Sequence, residues 1–443
     1  MAMACRRASR RPQRPSASRR GVVRSRRLAP VACAALALVV GLAPARAGAA
    51  DDADRAADAS PAPATPETPE PLLEIGASMS TWVLLHEQVE TGLVQPGSGD
   101  DADDEASGFN LKQGRATLHF RDPRHKLTGL LKFRLEERAD LLDLWGSYRV
   151  GPALAVALGL MKIPATAEVL TLDENSEFIT RTTFGERLGD YALFRTPYIS
   201  SIMAAKSYDR DLGLALRGGF LGTATSPPRA AYFLMVGNGL GGNRYVSASS
   251  GEFLYTNSPG DLYYGLRLEG SPIDGATVGL HGSLNHHSDV ALDARGPVVD
   301  IDRQVWTADL SLRKDALGRL YGFYGAGRME DYWERTAYRF DFDGWGLWAF
   351  WELRDDRFEV GARFDTMTTE FQQDGNTTEQ RNWTVGVNWR LQPRLRLQLD
   401  YAWKETIEVR QPDLRDNLLC LNVQFFFGRL PADPEADRPL ATF

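Results

Sequence analysis

The stretch RLRLQLDYAW, residues 394–403, alternates between two kinds of side chain. A repeat of two residues indicates a β-strand with one apolar and one polar face, because successive side chains of a strand point to opposite sides. Two structures fit this pattern. In a soluble sandwich the apolar side chains point into a core, whereas in an outer-membrane barrel they point at lipid and the polar ones line a lumen. The apolar set is Leu395, Leu397, Leu399, Tyr401 and Trp403, and the polar set includes Arg394, Arg396, Gln398 and Asp400.

The same alternation recurs along most of the chain, which predicts an all-β fold. Residues 357–365 and 380–391 show it most clearly, with aromatic and aliphatic residues on one face and Arg, Asn, Thr, Gly or acidic residues on the other. Sixteen strands are predicted, at residues 72–89, 109–120, 125–137, 140–150, 152–163, 211–221, 229–237, 261–271, 275–286, 304–314, 318–329, 344–353, 357–370, 380–391, 394–408 and 416–428.

The connections between these strands alternate between short and long, except for a short one near Ala139 and a longer one near residues 223–229. Short ones such as RDPRH, SPIDG and LQP contain the Gly, Pro or Asp that tight turns need. The long ones are 90–108, 164–210, 238–260, 287–303, 330–343 and 371–379. This alternation of connection lengths is typical of an up-and-down antiparallel transmembrane β-barrel with short periplasmic turns and long external loops. An even strand number also fits a single-chain barrel whose two ends lie on the periplasmic side.

The first 50 residues indicate export. They contain eleven Lys and Arg and no acidic residue, and a short apolar run from Leu28 to Leu42 is followed by Ala45-Arg46-Ala47. This is the pattern of a secretory signal peptide, with cleavage after Ala47 or Ala50. The pairs Arg19-Arg20 and Arg26-Arg27 leave export by the twin-arginine route open beside the general route. The apolar run is too short for the roughly 20 residues of a membrane-spanning helix.

Without this leader the chain has 40 basic and 58 acidic residues, a net charge of −18, which argues against nucleic acid as a partner. Cys420 is then the only cysteine, so no intrachain disulfide is expected. The predicted organisation is a signal peptide at 1–47, a disordered acidic Ala- and Pro-rich linker at 48–71, the barrel at 72–428 and a flexible tail at 429–443. The tail contains prolines and charges, so the strand ending near Gly428 is predicted to close the barrel.

Three stretches, taken in order, resemble the phosphate-selective porin O and P family. GLMKIPATAEVL, Gly159 to Leu170, resembles that family's Gly-x-Phe-Lys-x-Pro-Phe-x-x-Glu segment through Gly159, Met161, Lys162, Pro164 and Glu168. FITR at 178–181 and RDLGLALRG from Arg210 resemble its next two segments. The resemblance implies a sixteen-stranded trimeric channel in which the 164–210 connection folds into the lumen as a constriction. It also implies that basic residues in the pore contact anions such as phosphate.

The candidate pore-lining or anion-contact residues are basic. Strand parity points some of them inward, and others lie in the motif or in the 164–210 connection. They are Arg115, Lys132, Arg134, Lys162, Arg181, Arg187, Arg195, Lys206, Arg217, Arg267, Arg363, Arg390 and Arg396. Acidic residues share the inward face, and they include Asp143, Glu269, Asp309, Glu359, Asp365 and Asp400. Both phosphate contact and salt-bridged lumen filling therefore stay open for these arginines and lysines.

No catalytic or metal-binding pattern is present in the sequence. The six histidines lack zinc spacing, no nucleophile elbow occurs, and no cofactor is expected. The predicted function is that of an outer-membrane porin in a Gram-negative-type bacterium, not an enzyme. It would allow passive diffusion of small polar solutes, with anions such as phosphate as one class. The alternative is a plugged, non-conducting barrel with a structural or surface-binding role. Expected partners are outer-membrane lipid, lipopolysaccharide and two further copies of the chain in a homotrimer.

Overall fold

The computed structural model describes residues 71–90, 108–135, 139–151, 153–171, 176–192, 209–222, 229–239, 245–246, 253–254, 262–291, 298–314, 318–333, 336–354, 357–372, 375–408 and 414–428. The predicted signal peptide, nearly all of the linker and the C-terminal tail lie outside these residues. Within them no helix is long and apolar enough to cross a membrane.

Strands make up most of the described chain. They are β1 (Leu72–Glu90), β2 (Gly108–Asp122), β3 (Leu127–Leu135), β4 (Ala139–Gly151), β5 (Leu154–Lys162), β6 (Arg210–Phe220), β7 (Ala230–Gly237), β8 (Tyr245–Val246), β9 (Phe253–Leu254), β10 (Tyr263–Gly270), β11 (Ala276–Ala291), β12 (Val298–Lys314), β13 (Gly318–Trp333), β14 (Thr336–Arg354), β15 (Phe358–Phe371), β16 (Asn376–Gln392), β17 (Leu395–Glu408) and β18 (Leu414–Gly428). Two helices, α1 (Ala167–Leu170) and α2 (Thr183–Ala192), lie between β5 and β6.

Sixteen of these strands form one closed antiparallel barrel, as the sequence predicted. Each strand pairs with its neighbours in the chain, except that β7 pairs directly with β10 and the small hairpin β8–β9 stands apart. The barrel closes where β1 pairs with β18, from Gly76 opposite Gly428 to Glu90 opposite Leu414. The strand that ends at Gly428 is therefore the closing strand, and the closed sheet has no exposed edge.

The barrel is apolar outside and polar inside. On β16 the side chain of Trp383 is 58% exposed, whereas that of its neighbour Thr384 is 1% exposed. On β10 the leucines 266 and 268 are exposed, and Arg267 and Glu269 are buried. A soluble sandwich would show the opposite arrangement, because its apolar face forms the core. The strand 395–408 agrees: Leu399 and Trp403 are exposed, and Gln398 and Asp400 are buried.

Several external connections are shorter than the sequence predicted. The predicted loop 330–343 is largely the two strand ends of β13 and β14, which are separated by only residues 334 and 335. In the same way β11 extends to Ala291, β12 begins at Val298 and β16 begins at Asn376. On β14 the extension reverses the pattern, because Arg339, Asp341 and Asp343 share the outward parity of Trp345. Phe342 of the same extension is buried on the inner face. The apolar outward face that predicts a lipid-facing strand therefore ends there, although the backbone pairing continues.

Candidate functional site

The connection between β5 and β6 folds back into the barrel, as predicted; we call residues 163–209 the inward segment. Helix α2 lies against the inner faces of β11, β12, β13, β14 and β15 and also contacts α1. Residues 172–175 and 193–208 of this segment lie outside the described residues. The described part of the segment therefore occupies one side of the lumen.

Helix α1 is capped at both ends by side chains from the family-like stretch. The hydroxyl of Thr166 accepts a hydrogen bond from the Val169 amide. At the other end the Lys162 ammonium donates to the carbonyl oxygens of Val169 and Thr171, each at 2.7 Å. A cation at a helix C-terminus satisfies carbonyl groups that have no partner within the helix. Lys162, predicted as an anion contact, therefore fixes the shape of the inward segment.

Glu168 joins α1 to the start of α2. Its carboxylate accepts hydrogen bonds from the Thr182 amide at 2.8 Å and from the Thr182 hydroxyl at 2.6 Å. A Cβ added at Gly185 would overlap this carboxylate, so the close approach depends on glycine there. Burial raises the pKa of Glu168, against the opposing effects of Arg363 and of the hydrogen bonds from Thr182.

This raised pKa predicts a pH dependence of stability. The native protein holds the Glu168 proton more tightly than the unfolded chain, so the stabilising contribution is full at acid pH and is lost as the pH rises through the raised pKa. We expect the free energy of unfolding of the wild type, relative to that of Glu168→Gln, to decrease from about pH 4.5 upward. The decrease should be less than about 1.4 kcal/mol per pH unit. Urea unfolding at a series of pH values measures it. Parallel curves for the two proteins would contradict this prediction.

A buried charge cluster on the barrel wall holds α1; we call Arg267, Glu269 and Asp309 the α1 clamp. Arg267 is 0% exposed, and its guanidinium lies 2.7 Å from both Glu269 and Asp309. The same guanidinium donates to the carbonyl oxygen of Ala165 at 2.6 Å, and Asp309 accepts the Ala167 amide at 3.3 Å. The Arg267–Asp309 ion pair thus contacts the carbonyl group of Ala165 and the N–H group of Ala167 at the start of α1.

A second ion pair repeats this arrangement at α2; we call Arg363 and Asp365 the α2 clamp. The two side chains pair at 3.2 Å on β15. The Arg363 guanidinium donates to the carbonyl oxygen of Thr180 at 2.6 Å, and Asp365 accepts the Thr183 amide at 2.9 Å. Arg363 also lies over the ring of Phe178. Removing one partner of a buried pair leaves the other charge uncompensated, so each clamp depends on both members.

Polar residues of β16 and β17 hold the turn between the helices. Asp400 accepts the Ile179 amide at 2.6 Å, and the amide group of Asn388 donates to the Glu177 carbonyl at 2.9 Å. The Gln398 amide group contacts the carbonyl oxygens of residues 176 and 177 at 3.2 and 3.3 Å. The wall therefore binds backbone groups of the inward segment from β10 round to β17.

Phe184 on α2 anchors an apolar cluster between the helices and the wall. It is 0% exposed and packs against Phe323 and Phe342 at ring distances of 5.4 and 6.2 Å. A Cβ built on Gly325 would overlap the Phe184 ring, and one on Gly344 would lie 2.8 Å from it. Glycines on β13 and β14 thus leave the space into which this side chain fits.

Arg210 and Asp211 fix the return of the chain from the inward segment to the wall. The Arg210 guanidinium binds both oxygens of Asp143 on β4, at 2.8 and 3.1 Å. Asp211 accepts the Gly239 amide at 2.6 Å, and Arg181 pairs with Asp209. The third family-like stretch therefore ties the end of the segment to β4 and to the residues that follow β7.

Basic side chains are concentrated on the wall opposite α2, with Asp143 of β4 as the cross-strand partner of Lys132. In the closed order of strands, β2 and β3 stand across the barrel from β13. Arg115 and Arg134 are cross-strand partners there, and Lys132 lies two residues from Arg134 on the same face. The guanidinium of Arg217 on β6 lies over the rings of Trp145 and Phe233, at 4.7 and 5.3 Å. This arrangement gathers positive charge on one side of the lumen.

The predicted basic residues divide into four groups. Those bound to the inward segment or to acidic side chains are Lys162, Arg181, Arg267, Arg363 and Arg390, with Arg390 3.5 Å from Glu359. Those elsewhere on the lumen wall are Arg115, Lys132, Arg134, Arg217 and Arg396, with Arg396 donating to Gln424 at 2.9 Å. Arg187 is exposed on α2. Arg195 and Lys206 lie outside the described residues. Contact of any of these residues with an anion stays a prediction.

Sequence reasoning missed Arg319 and the structural use of Arg210. The Arg319 guanidinium bridges Glu177 of the inward segment and Glu359 of the wall, at 2.8 and 2.9 Å. Arg319 lies next to the turn at the start of β13, where the alternation of side chains is least able to assign a residue to the inward or the outward face. Among the described residues, no group of three His, Cys, Asp or Glu side chains is placed to hold a metal ion.

Comparison with known proteins identifies relatives. The family model described as phosphate-selective porin O and P matches residues 356–427. This match confirms the resemblance noted in the sequence, on a part of the chain different from the three stretches that first suggested it. No curated protein sequence matches the chain.

Solved structures share the fold at low sequence identity. An anion-selective porin from Comamonas acidovorans aligns with a TM-score of 0.55 and 12% identity, covering 81% of this chain and 100% of that one. The trimer form of OmpT, an outer membrane protein of Vibrio cholerae, aligns with a TM-score of 0.53 and 10% identity over 81% and 100%. The outer membrane channel DcaP of Acinetobacter baumannii aligns with a TM-score of 0.53 and 9% identity over 81% and 98%. At these identities the likeness establishes the fold.

Proposed function

We propose that this chain, a porin-fold barrel related to the phosphate-selective porin O and P family, is a passive outer-membrane channel for small polar solutes. The observation that carries the proposal is the placement of the inward segment. Its helices are fixed to the wall formed by β10 to β17, and the basic wall of β2 and β3 faces them across the lumen. A segment held to one side narrows a pore. Family and fold favour this role over an enzyme.

Anions such as phosphate are the proposed preferred solutes. Arg115 and Arg134 are cross-strand partners on β2 and β3, so two guanidinium groups lie side by side on this wall. A guanidinium offers phosphate a forked pair of hydrogen bonds. Weak successive contacts would let the ion leave as readily as it enters. Arg217 is proposed to extend the same basic path to β6.

Removing the two arginines is expected to weaken anion preference. A unit charge at about 7 Å in water contributes about 0.6 kcal/mol, or about threefold in local ion concentration. The double variant Arg115→Gln and Arg134→Gln should therefore lower the chloride-over-potassium permeability ratio by about threefold or more. The reversal potential in a KCl gradient measures this ratio. Arg415→Gln, on the outer surface, is the control and should leave it unchanged, whereas an unchanged ratio in the double variant would remove these residues from the ion path.

Liposome swelling tests passive diffusion itself. Vesicles that contain the purified protein should swell in isotonic solutions of small sugars and of phosphate, at rates that fall with solute size. Swelling no faster than that of empty vesicles would favour the plugged, non-conducting barrel. The apolar cluster around Phe184 is the feature that such a plug would use.

Assembly and export are further parts of the proposal. The trimer form of a structural relative supports a homotrimer, and the exposed apolar belt supports contact with outer-membrane lipid and lipopolysaccharide. Residues 1–47 are proposed to be removed as a signal peptide, 48–71 to form a periplasmic linker and 429–443 a periplasmic tail. N-terminal sequencing of protein from outer membranes tests the cleavage, and an intact leader would contradict it.

A further inference from the structure

A row of aromatic side chains surrounds part of the outer surface; we call it the aromatic belt. One residue comes from each of six consecutive strands, β12 to β17, and they are Trp306, Tyr324, Trp345, Phe364, Trp383 and Trp403. The ring centroids of Trp306 and Tyr324 are 5.1 Å apart. Those of Trp345 and Phe364 are 5.0 Å apart, and those of Phe364 and Trp383 are 4.4 Å apart. Tyr324 with Trp345, and Trp383 with Trp403, are direct cross-strand partners. The row is therefore continuous at one height on the barrel.

Trp and Tyr side chains concentrate where lipid acyl chains meet the headgroup layer, so the belt indicates the height of one membrane boundary. The position of the first strand shows which of the two membrane boundaries this is. Leu72 begins β1 at the end of the barrel with the short turns, which is the periplasmic end of an exported barrel. The parts of β12 to β18 on the other side of the belt run toward the external connections. The belt therefore lies at the outer leaflet.

Charged side chains face outward directly above this belt; we call them the charged band. They have the same strand parity as the belt residues, so they also point away from the lumen. Three ion pairs join neighbouring strands: Arg328 to Asp341 at 2.8 Å, Arg339 to Glu330 at 3.2 Å and Arg415 to Glu405 at 3.3 Å. A fourth pair, Arg381 to Glu379 at 2.7 Å, lies within β16. Arginine facing acyl chains near the bilayer centre costs about 2–4 kcal/mol, falling to about 0–1 kcal/mol near the interface. The band therefore fits the headgroup layer and not the acyl region.

Arg328 and Arg415 of this band have hydrogen-bonding capacity left for a ligand. Arg328 is 45% exposed at its side chain and donates its Nε to Asp341. Arg415 is 59% exposed and donates one terminal nitrogen to Glu405. Within the described residues neither makes a further hydrogen bond, so each guanidinium keeps N–H groups that point into the headgroup layer. Two adjacent N–H groups of a guanidinium match the oxygens of a phosphate group.

We propose that the charged band binds the phosphorylated sugar headgroup of lipopolysaccharide. Arg328, Arg339 and Arg415 donate to its phosphate groups, while the partner carboxylates hold these guanidiniums in place. The rings of the aromatic belt pack below against the sugar and the first acyl carbons. The inference rests on the outer-membrane placement proposed above and is independent of whether the pore conducts.

The triple variant Arg328→Gln, Arg339→Gln and Arg415→Gln tests this site. Exposed ion pairs contribute about 0–1 kcal/mol, so the variant should still fold, which heat-modifiable gel migration checks. Full-length protein in detergent is titrated with purified lipopolysaccharide, and binding is followed by native mass spectrometry. We expect affinity to fall about tenfold or more, equivalent to at least ~1.4 kcal/mol. Arg229→Gln, an exposed arginine beside Asp274 at the short-turn end, is the matched control and should bind as the wild type does.

Two ligand controls identify the group that is bound. Lipopolysaccharide stripped of phosphate should bind the wild type as weakly as the intact form binds the triple variant. Equal binding of the triple variant and the wild type, or equal binding of stripped and intact lipopolysaccharide, would overturn the proposal. Binding of phosphatidylglycerol as tight as that of lipopolysaccharide would overturn the assignment to a glycolipid. Channel conductance of the triple variant should be that of the wild type, so failure of this site and failure of the channel proposal are distinguishable.

Discussion

Replacing Arg267 by methionine is expected to destabilise the protein by about 3–5 kcal/mol, because the carboxylates of Glu269 and Asp309 then stay buried without their cation. The same change removes the hydrogen bond to the Ala165 carbonyl and loosens the start of α1. We expect a lower urea midpoint and a lower temperature for heat-modifiable gel migration. In a bilayer, the loosened segment should produce larger or noisier conductance steps.

Two variants separate this effect from a general loss of charge. Arg381→Met breaks an exposed ion pair with Glu379 and should cost less than about 1 kcal/mol. Replacing the whole α1 clamp, with Glu269→Gln and Asp309→Asn added to Arg267→Met, removes the uncompensated charges and should recover part of the stability. An Arg267→Met protein as stable as Arg381→Met would show that the clamp does not hold the segment.

The second large effect is expected at Gly325, where a valine would overlap the ring of Phe184. Overpacking a filled core costs about 1–3 kcal/mol, and Gly325→Val should also push α2 away from the wall and change the conductance. Phe184→Ala alone should cost about 3–5 kcal/mol, because it leaves a cavity in the apolar cluster. The double variant should be more stable than the sum of the two losses predicts, because the valine occupies part of that cavity.

Gly282→Val provides the matched control. Gly282 also lies in a barrel strand, but a Cβ there meets nothing within 4 Å. This variant should keep the wild-type urea midpoint and conductance. Strictly additive losses for Gly325→Val and Phe184→Ala would contradict the packing described for α2.

The alternation of side chains was sufficient to predict most of the barrel. Trp383 beside Thr384, and Leu266 beside Arg267, already assign each side chain to a face, because a strand has a fixed period of two residues. Closure by the strand ending at Gly428 followed from the prolines and charges after it. The strand ends above the aromatic belt were not predictable in this way, because charged residues such as Arg339 and Asp341 take the outward face there, which Trp345 occupies lower on β14.

The partners of the inward-facing charges could not be predicted from the sequence. Parity points Arg267 and Asp309 inward, but their meeting with Ala165 and Ala167 depends on how the inward segment folds against the wall. Lys162 was predicted from its motif as an anion contact, and the structure shows it capping α1. A charge in a lumen can bind solute, wall or loop, and only the three-dimensional arrangement selects among them.

Planar-bilayer recording of the purified full-length protein tests the central claim most directly. A channel narrowed by a segment held to one wall should give stable, stepwise conductance increments, and Arg267→Met should change the size or the noise of those steps. Protein that inserts and shows heat-modifiable migration but gives no conductance steps would contradict the claim that this barrel is an open channel.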